Sequence, residues 1–451
     1  MNEAAPAVDS VRAFPDTVLV RAPARIAGDV ALPGDKSISH RAVLLGAVAR
    51  GTTRVRGANP GEDVAATARA VAALGARVTR EPGAYVVEGR GGWLEEPADV
   101  LDLGNAGTAI RLLTGLLAPQ PFVSVLTGDA SLRSRPMERV TAPLREMGAV
   151  ILTRHGGRAP VVVAGSRLRP IAYETPVASA QVKSAILLAA LFTQGRTEVR
   201  EPAPSRDHTE RLLRWFGADV DAAPKRASLE GPLILNGAEI DVPGDISAAA
   251  FFVTACLLAQ DGEIIVRNAG VNPLRSGFLE VLTRMGASIE VRPLAESGPE
   301  PAADIVVRPS ALRGTVVEAD EVPRLIDEIP ILAVAAAQAE GVTEFRGAGE
   351  LRVKESDRIA AVVTALRALG VEAEERADGI AVQGRAREPF AGGTVDAHGD
   401  HRIAMSFIVA GLSAREPVRV RGCRWIATSD PSFFVSMERI APGAVVRGES
   451  A

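Results

Sequence analysis

The sequence is poor in cysteine, in aromatic residues and in long apolar runs. Its 451 residues include two cysteines, Cys256 and Cys423, and aromatic side chains make up 4% of the chain. Two cysteines cannot build a disulfide framework, and their separation fits no metal site. No apolar run reaches the roughly 18 residues needed to cross a bilayer. The N-terminal stretch "MNEAAPAVDSVRAFPD" lacks the apolar segment of a signal peptide. We therefore expect a cytoplasmic protein without membrane spans.

The chain also lacks an excess of charge of either sign. Lys and Arg number 51 and Asp and Glu number 55, so no global field attracts nucleic acid or an acidic membrane surface. If the protein binds anions, it does so through a local cluster of cations. At this length, two or more domains are expected.

A recurring segment organises the sequence. "GDKSISHRAVLLGAVARGTTRVRG", "SAQVKSAILLAALFTQGRTEVREP" and "GDISAAAFFVTACLLAQDGEIIVRNAG" each have a polar head, an apolar helix and a short strand. Weaker copies begin at Gly104, Asp327 and Asp400. Most copies are followed by a second helix that ends in a Gly-Ala type stop, as in "LREMGAVILT", and this glycine predicts a left-handed helix end. The pattern indicates about six copies of a mixed helix–strand unit of roughly 70 residues.

This repeat predicts an α/β (α+β) protein of two lobes, each with three units of helices and short strands in which the apolar helices are buried. The echo of "LPGDKS" in "VPGDIS" suggests two matching crossovers, near residues 33 and 244. The first lobe then spans residues 34–244, and residues 1–33 and 245–451 form the second.

The polar heads are the chemically informative part of the repeat. Since the helices behind them are apolar nearly all round, the helices should be buried, with only their N-termini reaching a cleft. Exposed backbone N–H groups and the helix dipole favour anions there, and Arg and Lys side chains strengthen that preference. One such head alone is usually only a helix cap, but recurrence at equivalent positions favours a binding site. The residues at these heads are Lys36, Ser37, Arg41, Asn105, Thr108, Arg111, Ser179, Gln181, Lys183, Asp327, Glu328, Asp400, His401 and Arg402. Loops add Arg133, Arg135, Arg206, Lys354, Glu355 and Arg358.

The ordered motifs "LPGDKSISHRAVLL", "GNAGTAIRLL", "GDASLRSRPM", "SAQVKSAILLA", "IDEIPILAVAA", "LRVKESDRI" and "DHRIAMSF" resemble those of the 5-enolpyruvylshikimate-3-phosphate synthases, in particular a divergent bacterial branch. The resemblance covers nearly the whole chain. It implies a two-lobed enolpyruvyl transferase fold, in which each lobe has three βαβαββ-type repeat units. The implied reaction transfers the enolpyruvyl group of phosphoenolpyruvate to the 5-hydroxyl of shikimate 3-phosphate by addition and elimination, within chorismate and aromatic amino-acid biosynthesis.

The resemblance also implies the site residues and partners. It implies that Lys36 contacts both substrates and that shikimate 3-phosphate is bound by Lys36, Ser37, Arg41, Ser179, Ala180, Gln181, Arg206, Asp327 and Lys354. It implies that phosphoenolpyruvate is bound by Lys36, Gly107, Arg135, Gln181, Arg358 and Arg402. The implied catalytic residues are Asp327, Glu355, Lys36 and Lys354. Which of Asp327, Glu355 and Lys354 moves which proton stays open. No metal or organic cofactor is implied, and the five histidines show no metal-ligand spacing. We expect a monomer.

Two features distinguish this chain within the resemblance. Some family members carry a lysine in the last segment, whereas here the stretch is "IATSDPSFF", with Thr428 or a neighbour at that place. Gly107, where the family carries Gly or Ala, implies an enzyme that glyphosate inhibits. Two alternatives remain open: a UDP-N-acetylglucosamine enolpyruvyl transferase, which would carry a cysteine in the loop "GDASLRSRPM", and a non-catalytic anion-binding relative, which would have lost Asp327, Glu355 or the arginines.

Overall fold

The chain forms two compact units in a computed structural model that describes residues 14–296 and 298–447. The central unit comprises Gly34–Val242 together with the short segment Glu296–Glu300. The terminal unit comprises residues 14–33, 243–295 and 301–447 of the described chain. The sequence predicts two crossovers, and it does not predict that Glu296–Glu300 joins the central unit. The prediction that residues 1–13 belong to the second lobe falls outside the described part of the chain.

Short strands alternate with helices along the whole described chain. The strands are β1 (Thr17–Val20), β2 (Gly28–Ala31), β3 (Arg50–Arg56), β4 (Arg77–Glu81), β5 (Ala84–Arg90), β6 (Leu101–Asp102), β7 (Val123–Thr127), β8 (Val150–Arg154), β9 (Arg158–Ala164), β10 (Ala172–Glu174), β11 (Gly195–Arg200), β12 (Val220–Ala223), β13 (Arg226–Gly231), β14 (Glu239–Asp241), β15 (Ile264–Gly270), β16 (Ser288–Pro293), β17 (Ala302–Arg308), β18 (Val316–Val317), β19 (Val342–Phe345), β20 (Ala373–Arg376), β21 (Gly379–Gln383), β22 (Gly393–Asp396), β23 (Val418–Arg421) and β24 (Val445–Arg447). The α-helices are α1 (Lys36–Val48), α2 (Glu62–Ala73), α3 (Gly107–Leu117), α4 (Ala130–Ser134), α5 (Glu138–Glu146), α6 (Ala180–Ala190), α7 (His208–Trp215), α8 (Ile246–Leu258), α9 (Gly277–Arg284), α10 (Ile329–Ala337), α11 (Arg358–Ala368), α12 (His401–Gly411) and α13 (Phe433–Ile440). Short 3₁₀ turns cover Val322–Arg324, Ile326–Glu328, Gly349–Val353 and Cys423–Thr428.

The sheets repeat one pattern. In the central unit their strand orders are β14-β3-β5-β4, β6-β7-β9-β8 and β10-β11-β13-β12. In each, the first two strands are parallel and the remaining neighbours are antiparallel. A mixed four-stranded sheet is therefore the structural counterpart of each sequence repeat.

The terminal unit has the same pattern with one change of connectivity. Its sheets are β2-β15-β17-β16, β18-β19-β21-β20 and β22-β23-β1-β24. In the last, β1 comes from the start of the chain and pairs antiparallel with both β23 and β24. The beginning and the end of the described chain thus complete one repeat together.

Apolar helices fill the interior of each unit, as predicted. In α8 every residue from Ile246 to Leu258 is buried, and α10 is buried from Ile329 to Ala337. Their counterparts in the central unit, α1, α3 and α6, are buried apart from their first residues. Such helices cannot present an amphipathic face to solvent, so sheets must surround them. The predicted mixed α/β fold with buried helices is confirmed.

The predicted glycine stops are also confirmed. Gly75, Gly148, Gly217, Gly286 and Gly370 follow the second helix of their repeats, and each has a φ between 80° and 100°. Only glycine adopts this backbone conformation without a steric penalty, so these residues let the chain turn sharply from helix to strand.

Within the described residues, no helix is long and apolar enough to cross a membrane.

Candidate active site

Three helix N-termini meet in the central unit. The α1 head is capped by Asp35, whose carboxylate accepts a hydrogen bond from the Ile38 N–H at 2.9 Å. The α3 and α6 heads are joined through Gln181, whose amide oxygen accepts from Arg111 Nη1 at 2.9 Å. The same amide donates to Thr108 Oγ1 at 3.1 Å. The polar heads that the repeat predicted are therefore brought together here.

Arg41 links the α1 head to α6 and α7. Its Nε donates to Thr209 Oγ1 at 2.7 Å, and its Nη2 donates to Ser184 Oγ at 2.9 Å. Burial lowers the pKa of Arg41 to about 10, and the nearby Arg206 acts in the same direction, while Glu210 opposes both. Arg41 is therefore still a cation at neutral pH, held in place by neutral hydroxyl groups.

Lys36 and His40 share helix α1 but differ in role. The Lys36 ammonium donates to Asp63 Oδ2 at 3.0 Å on α2 and remains partly accessible. His40 is fully buried with its Nδ1 2.7 Å from Thr67 Oγ1, and burial lowers its pKa well below the ordinary value. A neutral, buried His40 is a packing residue, whereas Lys36 can meet a ligand.

Gly107 and Arg135 are neighbours at the α3 head. A β-carbon added at Gly107 would lie 2.8 Å from Arg135 Nη1 and 3.2 Å from Arg111 Nη1. Arg135 Nη2 in turn donates to Asn105 Oδ1 and, at 3.2 Å, to Ser131 Oγ. The glycine therefore allows two guanidinium groups to approach the start of a helix, which is a favourable arrangement for binding an anion.

Lys183, although part of a polar head, is enclosed by acids. Its ammonium lies 2.9 Å from Glu201 Oε2 and 2.8 Å from Glu210 Oε1. Burial by itself lowers the pKa of Lys183, but these two carboxylates outweigh burial and raise it. Glu201 also accepts from the Ser179 N–H at 2.8 Å, so the buried pair fixes the start of α6.

The segment Glu296–Glu300 contributes one further carboxylate to the central unit. Glu300 Oε1 lies 2.7 Å from His208 Nδ1 at the start of α7, and both side chains are 1% exposed. Thr209, the next residue, is the partner of Arg41. Neither Glu300 nor His208 was among the predicted site residues, although the predicted Arg206 lies two positions before His208.

Three helix N-termini also meet in the terminal unit. Glu328 at the α10 head accepts from Ser247 Oγ of α8 at 2.6 Å and from Arg275 at 2.6 and 2.9 Å. Arg402 at the α12 head donates to the Asp327 carbonyl at 3.2 Å and to Ser247 Oγ at 3.4 Å. Asp327 itself lies in the 3₁₀ turn Ile326–Glu328.

Arg358 is surrounded by carboxylates. Its Nε donates to Asp400 Oδ2 at 2.7 Å, its Nη2 to Glu355 Oε2 at 2.6 Å and its Nη1 to Asp327 Oδ1 at 3.4 Å. Although burial lowers the pKa of Arg358, these three acids outweigh it and raise the pKa. The guanidinium is a permanent cation that gathers the two predicted acid–base candidates, Asp327 and Glu355, on one group. Lys354 lies beside them as the C-terminal cap of the turn Gly349–Val353.

The remaining predicted residues lie beside these groups. Ser37, Ser179, Ala180, Gln181 and Arg206 are all partly accessible in the central unit. Among the described residues, no group of three or more His, Cys, Asp or Glu side chains is arranged to hold a metal ion.

Comparison with known proteins identifies the family. The model of the EPSP synthases (3-phosphoshikimate 1-carboxyvinyltransferases) matches residues 20–437. The 3-phosphoshikimate 1-carboxyvinyltransferase of Pelobacter propionicus is 52% identical over 419 residues, which is 92% of this chain and 97% of the relative. The chain belongs to the EPSP synthase family.

Solved structures agree with this assignment. EPSP synthase from Acinetobacter baumannii superposes with a TM-score of 0.85 at 44% identity, over 95% of this chain and 98% of that one. The enolpyruvyl transferase NikO from Streptomyces tendae, at 20% identity, matches with a TM-score of 0.74 over 94% of this chain and 98% of its own, and so shares the fold. As a member of the EPSP synthase family, the chain is an enzyme, a carboxyvinyltransferase, and the two alternative functions are set aside.

The last segment, in which some family members carry a lysine, contains a buried acid in this chain. Thr428 ends the turn Cys423–Thr428 and donates to the Trp425 carbonyl at 2.7 Å. Asp430 is 1% exposed, and its Oδ1 accepts from the Ser432 N–H and Oγ at 3.0 and 2.7 Å. Burial raises the pKa of Asp430 to about 6, and the nearby carboxylate of Asp245 acts in the same direction, while Ser432 opposes them.

Asp430→Asn should change how stability depends on pH. Because the folded-state pKa is raised, the folded protein binds more protons than the unfolded chain between about pH 4 and 6, so the wild type loses stability as the pH rises through this window. The loss from this group is about 2–3 kcal/mol. The side-chain amide in the Asp430→Asn variant keeps the Oδ1 hydrogen-bond acceptor but carries no charge. We expect the variant to be more stable than the wild type at pH 7–8, with the difference shrinking towards pH 4.

Denaturant unfolding of both proteins at several pH values measures this difference. Asp261→Asn, at a side chain that is 75% exposed, serves as the control for loss of a surface acid. A stability difference for Asp430→Asn that does not vary between pH 4 and 8 would contradict the prediction.

Proposed function

We propose that the polar groups of the central and terminal units together carry out the reaction of the EPSP synthase family, and that these units are the two lobes that the sequence resemblance implies. The reaction transfers the enolpyruvyl group of phosphoenolpyruvate to the 5-hydroxyl of shikimate 3-phosphate and releases phosphate, within aromatic amino-acid biosynthesis. The observation that carries the proposal is the set of arginines and lysines held at helix N-termini by carboxylates and hydroxyl groups. Both substrates are anions.

Shikimate 3-phosphate is assigned to residues of the α1 and α6 heads and to Arg206 in the central unit, and to Asp327 and Lys354 in the terminal unit. The assigned residues are Lys36, Ser37, Arg41, Ser179, Ala180, Gln181, Arg206, Asp327 and Lys354. Arg41 supports this assignment, because it stays charged while its Nε and Nη2 are fixed by Thr209 and Ser184. A guanidinium with fixed geometry loses little rotational freedom when it binds a phosphate.

Phosphoenolpyruvate is assigned to an arginine set. The assigned residues are Lys36, Gly107, Arg135, Gln181, Arg358 and Arg402. The guanidinium of Arg135 beside Gly107 at the α3 head and that of Arg358 among three acids are each held by neighbouring side chains, and fixed guanidinium groups favour anion binding. Such preorganised cations also stabilise the charge that develops during the reaction.

The proton transfers are assigned to acids gathered by Arg358. Asp327 removes the proton of the 5-hydroxyl while the hydroxyl oxygen bonds to C2 of phosphoenolpyruvate. Glu355 or Lys354 adds a proton to the methylene carbon, which gives a tetrahedral adduct. The group that donated this proton then takes one back from the methyl group, the C–O bond to phosphate breaks, phosphate leaves, and the enol ether forms.

We further propose that the enzyme works as a monomer in the cytoplasm, as the sequence leads us to expect.

The reaction itself is tested by phosphate release. With purified protein, phosphate should appear when shikimate 3-phosphate and phosphoenolpyruvate are both present, and not when either is omitted. Replacing shikimate 3-phosphate with UDP-N-acetylglucosamine should give no release. Release with the nucleotide sugar alone as acceptor would overturn the proposal.

Asp327→Asn should separate binding from chemistry. The amide keeps the shape of the side chain but cannot take a proton, so kcat should fall by about 10²-fold or more while both KM values stay close to wild type. Steady-state kinetics measures this, with Asp320→Asn, an exposed acid seven positions earlier in the chain, as the control. Wild-type kcat in the Asp327 variant would show that another group is the base.

Gly107→Ala should weaken inhibition by glyphosate, which the family resemblance places in the phosphoenolpyruvate site. The new methyl group would stand 2.8 Å from Arg135 Nη1 and force that guanidinium to shift. Overpacking of this kind costs about 1–3 kcal/mol. We expect the glyphosate Ki to rise by about 10-fold or more, together with a smaller rise in the KM for phosphoenolpyruvate. Equal Ki values for the two proteins would refute the steric explanation.

A further inference from the structure

Asp129 follows Gly128, the first residue after strand β7. Its two carboxylate oxygens have different partners. Oδ1 accepts from the Leu132 N–H at 2.7 Å and caps the short helix α4. Oδ2 accepts from the Asn105 side-chain amide at 2.8 Å. The carboxylate therefore connects the loop that carries Arg135 to the turn that precedes Gly107.

The backbone holds these two loops together closely. The Asp129 N–H donates to the Gly104 carbonyl at 2.9 Å. A β-carbon at Gly128 would lie 2.2 Å from the same carbonyl oxygen, so only glycine permits this approach. Since the two backbones are in contact, the Asp129 carboxylate has a fixed place beside the Asn105 side chain.

The Asn105 amide completes the connection. A carboxylate can only accept hydrogen bonds, so Asp129 requires the NH₂ end of the amide to face it. The Oδ1 end then points the other way and accepts from Arg135 Nη2. The orientation of the amide thus depends on the charge state and acceptor character of Asp129.

We propose that Asp129 is a positioning residue that orients the Arg135 guanidinium for phosphoenolpyruvate through the Asn105 amide. This inference rests on the proposed role of Arg135 in binding that substrate. Asp129 itself does not touch Arg135 or Gly107 in any hydrogen bond described above. Its effect is transmitted by one amide that can adopt two orientations.

Asp129→Asn is the decisive variant. Asn is as good an N-cap as Asp, so α4 and the stability of the protein should be preserved. Its NH₂ group, however, can face the NH₂ group of Asn105. Either those two donors oppose each other, or the Asn105 amide flips and presents its NH₂ group to the Arg135 guanidinium. Both outcomes remove the hydrogen bond from Arg135 to Asn105, although Arg135 also donates to Ser131 Oγ at 3.2 Å.

We expect the KM for phosphoenolpyruvate to rise by about 10-fold, the scale of one lost hydrogen bond to a charged group. The KM for shikimate 3-phosphate, kcat and the melting temperature should stay close to wild type. Asp102→Asn is the matched control, because Asp102 caps the Gly104 N–H at 2.9 Å in the same turn and its change should leave all these values unaltered.

A paired variant tests the amide orientation directly. In Asn105→Asp/Asp129→Asn the donor and acceptor are exchanged, and the new carboxylate at position 105 can accept both from the new amide and from Arg135. The double variant should be less impaired for phosphoenolpyruvate than the product of the two single effects. Simple structural damage would not give this compensation.

Arg135→Lys distinguishes failure of the inference from failure of the proposed function. If it raises the KM for phosphoenolpyruvate while Asp129→Asn does not, Arg135 binds the substrate and the inference about Asp129 is wrong. If Arg135→Lys leaves that KM unchanged, the assignment of Arg135 is wrong and the inference falls with it. Equal rises in both KM values for Asp129→Asn, or a large fall in melting temperature, would indicate a general structural role and also overturn the inference.

Discussion

The structure depends on holding cations at the N-termini of buried helices. A guanidinium is costly to bury alone, so each must be matched by groups from its own unit. Two solutions occur. Arg358 is matched by the charges of Asp400, Glu355 and Asp327. Arg41 donates to the neutral hydroxyl groups of Ser184 and Thr209, and burial lowers its pKa. The two units therefore hold their cations in two differently balanced ways.

This balance also explains how acids can serve an enzyme whose substrates are anions. Asp327 and Glu355 would repel a phosphate or carboxylate if they stood alone. Sharing Arg358 offsets part of that repulsion and brings both carboxylates to one place. The guanidinium thus gathers the two residues proposed for proton transfer.

Buried helices with charged residues at their N-termini occur in both units, because both units contain the repeat. In each unit, three apolar helices run into the interior behind polar heads, and a four-stranded mixed sheet accompanies each helix. Glycine permits the closest approaches: Gly107 leaves room for Arg135, and Gly128 lets its loop touch the carbonyl of Gly104. The repeat determines where the helix N-termini lie. The residues that differ between copies of the repeat determine which charged groups stand there.

The sequence by itself determined the helix heads, the buried helices, the glycine stops and the family, because each of these is written in neighbouring residues. The apolar run behind Lys36 and the glycine after each second helix are local signals. The partners of the charged groups are not local. Lys36 meets Asp63 across 27 residues, Arg358 meets Asp400 across 42, and His208 meets Glu300 across 92. Such pairs depend on how whole helices and sheets pack, so only the tertiary structure decided which acid holds which cation.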